Sequence, residues 1–314
     1  MSWEKRFTAD AGAIKASEIR ELLKVIADPT ILSFAGGIPD PDLFPMDRVK
    51  QIHTDLEARP DAARQAMQYS LTEGYLPLRT WVSERFSTPL TRLTADNVLI
   101  TNGAQQSLAY RPLYYDAPPP PSLLELEGRY LGAEKWQTEG LVIQLGTASK
   151  TLMPALRVGW SIAPPALFEK LVLLKQANDL HSSTYNQIIA HELASGILDS
   201  HVPMLRDRYR ERRDAMVAAL HRYLPNGASF SRPGGGMFVW LTLPQGMNSQ
   251  SLLEKALAQE KLAFVPGAAF HVGGGGENTL RLSFSTCTPD VIADGMKRLS
   301  ALIAEEHLTA VAAA

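Results

Sequence analysis

The chain has 314 residues, of which 45% are hydrophobic and 20% charged, and its formal net charge is -2. This length can bury a substantial core in one large domain or two ordinary ones. The near-neutral charge offers no basic stripe for nucleic acid, and no apolar run approaches the roughly 18 residues of a membrane span. The charged N-terminus lacks the apolar core of a signal peptide, and the single cysteine, Cys287, fits a reducing compartment. We therefore expect a cytoplasmic protein that acts on a small molecule, with no nucleic-acid or membrane partner.

In the first half of the chain, helices are predicted where apolar residues recur at helical spacing, over residues 16–27, 46–57 and 76–85. A short strand at 31–34 lies in a loop punctuated by proline and glycine. A continuous apolar run predicts a buried strand over 97–101, which opens into a turn at Gly103 and a helix. The prolines at 118–121 predict a rigid spacer that continues neither a helix nor a sheet.

In the second half, two buried strands are predicted over 141–145 and 158–163, with a loop that contains Lys150 between them. Helices are predicted at 165–178, 185–198 and 203–223. A C-terminal antiparallel sheet is predicted from strands at 230–233, 237–243 and 280–284, covered by helices at 250–260 and 289–306. This order of elements indicates a mixed α/β protein.

The loop around Lys150 is the most informative segment. It places one lysine just past an apolar strand, flanked by hydroxyl side chains, with Arg157 seven residues further on. Desolvation at a strand end favours a neutral, nucleophilic amine. Such an amine can form a Schiff base with an aldehyde cofactor, usually pyridoxal phosphate (PLP), and hydroxyls with an arginine suit a phosphate tail. The alternative is an ordinary surface loop with one lysine and one arginine.

Six blocks in order resemble the class I/II aminotransferases of fold type I. These blocks are 31–39 with 43–45, 68–79, 101–106, 146–160, 233–240 and 278–283. Residues 3–4 and 16–23 carry a finer likeness to the aminotransferases of 2-aminoadipate and of branched or aromatic amino acids. The resemblance implies an aspartate aminotransferase-like fold, PLP as cofactor, an amino acid and a 2-oxo acid as substrates, and a homodimer. It also implies an N-terminal arm (residues 1–45), a PLP-binding large domain (46–202) and a smaller α+β domain (203–314).

One departure from the family pattern follows the block at 101–106. In the family, this block precedes a long stretch with an aromatic that stacks on the cofactor, an Asn-Pro-Thr-Gly turn, and an Asp three residues before a tyrosine. Here Gly103 is followed almost at once by Tyr110, and the position three before that tyrosine is Ser107. Two or three βα units of about 30 residues each are therefore expected to be missing. The strand near Leu141 should then become an exposed edge of a truncated sheet.

The missing Asp matters because it keeps the pyridine nitrogen protonated, so that the ring can withdraw electrons. Without a counterpart, a bound cofactor should be a poor catalyst. Two hypotheses are therefore carried forward: an aminotransferase, or a catalytically impaired remnant that binds PLP weakly or not at all. A third, the effector domain of a MocR-like regulator, is disfavoured because the resemblance begins within the first twenty residues, where such regulators carry a winged helix.

On the cofactor side, the resemblance assigns Lys150 to the Schiff base and to proton transfer at the substrate Cα. Tyr110 would bond the ring hydroxyl, and Tyr69 would reach the phosphate of the neighbouring subunit. Phosphate-binding roles fall to Gly103, Ala104, Gln105, Thr147, Ser149 and Arg157. The alternatives are a structural ion pair for Arg157 and a packed core aromatic for Tyr69.

On the substrate side, Arg281 would grip the α-carboxylate through a bidentate pair, which orients the Cα–H bond. Gly37 lies on the turn that lets this carboxylate approach, and Arg20 would meet an acidic side chain unless it is a solvated helix residue. No metal site is predicted, because His181 and His191 lack ligand partners at useful spacing.

Overall fold

The computed structural model describes Leu22 and residues 28–103, 113–271 and 273–313. Of the helix predicted over 16–27, only Leu22 is described; it is helical and buried. The chain divides into two compact units. The lysine unit comprises Pro39–Arg208 with Gly234–Gly236, and the arginine unit comprises the described residues up to Ile38, Tyr209–Pro233 and Met237 onward. The three-domain division predicted from the sequence stays a prediction.

The described helices, in chain order, are α1 (Met46–Glu57), α2 (Pro60–Ala66), α3 (Leu76–Phe86), α4 (Leu123–Leu131), α5 (Ala133–Glu139), α6 (Pro165–Asn178), α7 (Thr184–Tyr223), α8 (Ser249–Glu260) and α9 (Pro289–Ala313). The described strands are β1 (Leu32–Ser33), β2 (Val98–Thr101), β3 (Gln144–Thr147), β4 (Gly159–Ile162), β5 (Ser229–Phe230), β6 (Phe238–Thr242), β7 (Leu262–Ala263), β8 (Val265–Pro266) and β9 (Thr279–Ser283). None of the described helices is long and apolar enough to cross a membrane.

The lysine unit contains a three-stranded sheet in the order β2-β4-β3, and both outer strands run antiparallel to β4. Thr101 of β2 and Thr147 of β3 both pair with Gly159, the first residue of β4. The C-terminal ends of β2 and β3 therefore lie on either side of the start of β4. This register determines which loops meet at that end of the sheet.

The start of β2 is held by three side chains. Thr94 and Asn97 form a capping box, and Asn97 Nδ2 donates to the carbonyl of Ala163 at the end of β4, 3.1 Å away. Arg79 is buried on α3, and its guanidinium donates to the carbonyls of Ala95 (2.7 Å) and Val98 (2.9 Å). These bonds to backbone carbonyls hold the start of β2 in place.

The core of the lysine unit lies against the sheet face that carries Ile100 and Ile162. Its fully buried side chains include Val82, Val98, Ile100, Trp136, Ile162 and Leu193. Trp160 lies over Gly146, where a Cβ would come within 2.2 Å of the indole. A glycine is thus needed for the close packing of β3 on β4.

The strand predicted at 141–145 is wrong at its start and in its burial. Strand β3 begins at Gln144, and Leu141 is 80% exposed while Leu145 is 40% exposed. The carboxylate of Glu127 accepts the backbone N–H groups of Leu141 (2.8 Å) and Val142 (3.1 Å), which takes these donors away from strand pairing. Among the described strands, β3 is an outer strand of its sheet, which agrees with the predicted exposed edge near Leu141.

The two helices predicted at 185–198 and 203–223 are one helix, α7, with Pro203 inside it. Proline removes one hydrogen bond from a helix, but its fixed φ is helical, so the flanking turns can continue through it. The predictions for 46–57 and 165–178 are confirmed with the same bounds. Residues 118–121 are neither helix nor strand, as predicted.

The arginine unit contains a four-stranded antiparallel sheet in the order β5-β6-β9-β8 and a short parallel pair, β1-β7. Alternate residues of the two central strands are fully buried, as the period of a half-buried sheet requires. These residues are Val239, Leu241, Leu280 and Leu282. The predicted C-terminal sheet is therefore confirmed.

Candidate active site

The register of the three-stranded sheet brings three predicted cofactor loops together. Gly103 lies two residues after β2, Lys150 lies three residues after β3, and Arg157 lies two residues before β4. Because Thr101 and Thr147 both pair with Gly159, these loops emerge at the same end of one sheet. The sequence separates them by up to 54 positions, and the fold makes them neighbours.

Gly103 and Arg157 pack against each other in this group. Gly103 has a φ of +79°, and a Cβ at this position would lie 2.6 Å from Arg157 Nη2. Arg157 itself has a left-handed φ of +52°, and its Nη2 lies 3.4 Å from the carbonyl oxygen of Asn102. The bare backbone of Gly103 is therefore packed on an exposed guanidinium, an arrangement that only glycine permits.

Two hydroxyl side chains shape the loop that precedes Lys150. Thr147 is buried; its Oγ1 accepts the backbone N–H of Ser149 (3.2 Å) and lies 3.2 Å from the carbonyl oxygen of Val158. Ser149 Oγ lies 3.0 Å from the Thr147 hydroxyl. Ser149 and Lys150 are both half-buried. A hydroxyl that accepts the backbone N–H two residues later in the chain forms a tight turn. This turn directly precedes Lys150.

This group fits the phosphate and aldehyde end of PLP. It combines one lysine amine, one exposed guanidinium, hydroxyl side chains and a glycine cradle that a Cβ would fill. The chemistry of these donors is that of a phosphate site next to a nucleophilic amine. Three predicted cofactor residues, Ala104, Gln105 and Tyr110, lie outside the described residues, as does Ser107.

A set of side chains that the sequence reasoning missed adjoins the Gly103 turn. Asp179 Oδ2 accepts from Asn102 Nδ2 at 2.5 Å, and Asp179 Oδ1 accepts from Lys175 Nζ at 2.6 Å. We call Asn102, Lys175 and Asp179 the clamp. The spacing of Lys175 and Asp179 signals a helical ion pair. Nothing local signals that Asn102, 77 residues away, joins it.

Tyr69 does not pack in the core, contrary to the alternative left open for it. Its side chain is 78% exposed, and its ring makes an edge contact with His181 at a centroid distance of 5.5 Å. His181 is thus an aromatic neighbour of Tyr69. Among the described residues there is no group of three His, Cys, Asp or Glu side chains that could hold a metal ion.

In the arginine unit, Arg281 lies between two aromatic rings. Its guanidinium carbon is 4.0 Å from the centroid of Phe238 and 4.7 Å from that of Phe270, and its Nη2 donates to the carbonyl of Ala35 at 3.2 Å. Gly37 meets the same ring, since a Cβ there would lie 2.3 Å from Phe238 Cζ. The two predicted substrate residues therefore share one neighbour. The sequence reasoning gave no role to Phe238 or Phe270. Arg20 lies outside the described residues.

Comparison with known proteins agrees with this geometry. Residues 109–299 match the family model for aminotransferase class I and II. The chain is 32% identical to aromatic-amino-acid aminotransferase 1 of Thermococcus litoralis over 405 positions, with 98% of this chain and 96% of the relative covered. It is 34% identical to the 2-aminoadipate transaminase of Thermus thermophilus over 400 positions, with 95% and 96% covered. Both alignments are longer than the 314 residues of this chain, so they contain long gaps on its side.

Solved structures give the same result. The alpha-aminoadipate aminotransferase of Thermus thermophilus, solved with N-(5'-phosphopyridoxyl)-L-leucine, is similar with a TM-score of 0.84 at 32% identity, covering 97% of this chain and 99% of the other. The multiple substrate aminotransferase of Thermococcus profundus gives a TM-score of 0.86 at 27% identity, covering 98% and 100%. The predicted fold type and cofactor are thereby confirmed. The chain belongs to the class I and II aminotransferases, a family of PLP-dependent enzymes with the fold-type I architecture.

Proposed function

We propose that this protein transfers an amino group between an amino acid and a 2-oxo acid such as 2-oxoglutarate. The donor would be 2-aminoadipate, glutamate, or a branched or aromatic amino acid. The observation that carries the proposal is the meeting of Gly103, Lys150 and Arg157 at one end of a sheet. The names of the relatives, for 2-aminoadipate and for aromatic amino acids, support this substrate range.

In this proposal, Lys150 Nζ would hold the cofactor and would carry the proton at the substrate Cα. Arg157 pairs with the cofactor phosphate, and the hydroxyls of Thr147 and Ser149 add hydrogen bonds. PLP, when bound, supplies an aldehyde that links to amines and a ring that withdraws electrons from the linked Cα. Ala104, Gln105 and Tyr110, which lie outside the described residues, would also contact the cofactor in this proposal.

Arg281 binds the substrate carboxylate in the proposal, and its two aromatic neighbours hold the guanidinium plane in place. Cation–π contacts at such distances contribute about 0.5–2 kcal/mol. Gly37 leaves room beside Phe238, where a side chain would collide with the ring, and Arg20 would meet an acidic side chain. The high exposure of Tyr69 suits a residue that completes the site of a second subunit, and we propose a cytoplasmic homodimer.

A second candidate is a remnant that binds PLP weakly or not at all. The long gaps in the alignments and the exposed edge of β3 favour it, because both indicate that part of the relatives' large domain is missing here. An enzyme turns over substrate, whereas a remnant at most binds the cofactor.

The test is a titration of the purified protein with PLP, followed by visible absorbance, borohydride reduction and peptide mass mapping. The proposal expects a saturable band and a reduced adduct on Lys150. Lys150→Ala should abolish both, whereas Lys170→Ala, at an exposed lysine on α6, should change neither. An adduct spread over several lysines, or no adduct, would leave the remnant as the better description.

Turnover separates the two candidates once the cofactor is bound. Adding 2-aminoadipate, glutamate, leucine or phenylalanine with 2-oxoglutarate or another 2-oxo acid should yield the exchanged pair of products. Binding without exchange, for every donor, would identify the chain as a remnant. Arg281→Lys should raise KM for any active donor, because a single ammonium cannot make the bidentate pair.

A further inference from the structure

The clamp joins two separate elements of the lysine unit. Asp179 directly follows α6, and Asn102 lies in the turn after β2. The two oxygens of Asp179 are each engaged, one by Asn102 Nδ2 and one by Lys175 Nζ. Hydrogen bonds with charged partners are stronger than neutral ones. The end of α6 is therefore tied directly to the turn that presents Gly103.

Lys175 is the buried member of the clamp. Its side chain is 7% exposed, and its Nζ also lies 3.1 Å from Ser182 Oγ, which in turn donates to the carbonyl of Ile100 in β2 at 3.4 Å. A buried ammonium needs a compensating charge, and Asp179 supplies it. Lys175 thus fixes the carboxylate while Ser182 attaches the same segment to β2.

The backbone at the clamp is held in an unfavourable conformation. Leu180 has a φ of +61°, which side chains with a Cβ rarely adopt, and it is 49% exposed. The N–H groups of Asp179 and Leu180 both donate to the carbonyl of Lys175, at 2.9 and 3.1 Å. Strained residues of this kind persist where the surroundings over-determine them. The surrounding contacts therefore hold the backbone of Asp179 in this position.

The clamp contacts the proposed phosphate site through Asn102. The side chain of Asn102 is bound by Asp179, while its carbonyl oxygen lies 3.4 Å from Arg157 Nη2. The next residue is Gly103, whose backbone packs on the same guanidinium. If Asn102 were released, the turn and the guanidinium that rests on it would both lose a fixed neighbour.

We propose that Asp179, held by Lys175, is a positioning residue that sets the affinity of the lysine unit for the phosphate group of its cofactor. It acts through Asn102 on the Gly103 turn and on Arg157. This inference rests on the proposed function, because it takes Gly103 and Arg157 as phosphate ligands. Nothing in the amino-acid pattern around Asp179 assigns it a role at the cofactor.

The experiment compares PLP with pyridoxal, which lacks the phosphate, in the wild type and in Asp179→Asn. Both partners of Asp179 are donors, and an amide offers only one acceptor oxygen, so one hydrogen bond is lost. We expect the Kd for PLP to rise about tenfold, the value of one charge-assisted bond. The Kd for pyridoxal, measured by borohydride trapping at Lys150, should differ by less than about twofold between the wild type and Asp179→Asn.

Lys175→Met keeps the buried stem of the side chain but leaves the Asp179 carboxylate without its counter-charge beside the phosphate site. The loss of PLP affinity should be at least as large as in Asp179→Asn, and again specific to the phosphorylated ligand. The matched control is Asp199→Asn, which removes an exposed ion pair with Arg85 in the same unit. Thermal unfolding of all variants identifies any that are misfolded.

A second arm does not depend on Lys150. Inorganic phosphate is titrated into isotope-labelled protein, and the amide resonance of Gly103 is followed; the saturable shift of the wild type should need more phosphate in Asp179→Asn. Equal affinities in wild type and variant, in either arm, overturn the inference. An equal loss for PLP and pyridoxal also overturns it, because the role would then be structural. If the wild type binds inorganic phosphate but forms no PLP adduct, the proposed function alone is refuted. If it binds neither inorganic phosphate nor PLP, both the proposed function and the role of Asp179 are refuted.

Discussion

Both units of this protein contain an antiparallel sheet, and the central strands of one can be compared with an outer strand of the other. In the arginine unit, the central strands β6 and β9 have partners on both sides, and their inward residues Val239 and Leu282 are fully buried. In the lysine unit, β3 is an outer strand, and Leu141 and Leu145 stay exposed beside it. The inward apolar residues of β6 and β9 are covered within the chain, whereas Leu141 and Leu145 are not. Apolar edge strands of this kind tend to recruit other chains.

The largest expected difference between the two sheets is in side-chain truncation. Leu282→Ala removes a fully buried side chain from a central strand, and we expect it to lower the free energy of unfolding by about 3 kcal/mol. Leu141→Ala, at an 80% exposed position, should change it by less than about 0.5 kcal/mol. Urea unfolding measures both, and similar losses would mean that the β3 edge is covered in solution.

The next effect concerns the residue that holds the β3 edge in place. Glu127 accepts from the backbone N–H groups of Leu141 and Val142 and from Trp136 Nε1. Glu127→Gln replaces one of the accepting oxygens by a donor, and we expect a loss of about 1.5–3 kcal/mol. Hydrogen exchange should accelerate at Leu141 and Val142 and stay unchanged in β9. Unchanged exchange at Leu141 would show that another group holds the edge.

A smaller effect, on PLP binding, is expected at Gly103, where the backbone packs closely against the Arg157 guanidinium. Gly103→Ala adds a Cβ 2.6 Å from Arg157 Nη2, and we expect about tenfold weaker PLP binding, or roughly 1.4 kcal/mol. Gly132→Ala is the matched control. Gly132 has a similar φ of +81° in the same unit, but a Cβ there meets nothing within 4 Å. Equal PLP affinities in the two variants would contradict the contact with Arg157.

The smallest effect on folding is expected for Leu145→Lys. This position on β3 is 40% exposed, so the unfolding free energy should change by no more than about 0.5 kcal/mol. A charge on an edge strand opposes pairing with other chains, and light scattering during heating should show slower aggregation. Leu174→Lys, at a 67% exposed leucine on α6, should leave the aggregation rate unchanged. If both lysines act alike, net charge rather than the edge controls aggregation.

The differences between predicted and observed elements have long-range causes. Helices α1 and α6 have the predicted bounds because their apolar spacing and flanking prolines are local signals. The strand start at Leu141 was wrong because a carboxylate 14 residues earlier binds its N–H. A local pattern contains no information about such a contact. The sequence predicts that a separate helix begins at Pro203, yet α7 continues through this residue.

The candidate site divides in the same way. The resemblance predicted Gly103, Lys150 and Arg157, and the sheet register is the physical reason that they meet. The contact between Asn102 and Asp179 spans 77 residues, and the stacking of Arg281 on Phe238 depends on the packing of distant elements. Contacts of this kind arise only when the chain has folded, so single-sequence patterns do not reveal them.

Strand β4 has a consequence for how this chain can change length. It is the only described strand that touches both β2 and β3, and Arg157 precedes it by two residues. Because side chains alternate along a strand, inserting one residue in β4 would reverse which of its side chains face the core. An insertion in the proline-rich stretch at 118–121 would displace no residue of β4. Natural or engineered changes of length should therefore collect in the connections and spare this one strand.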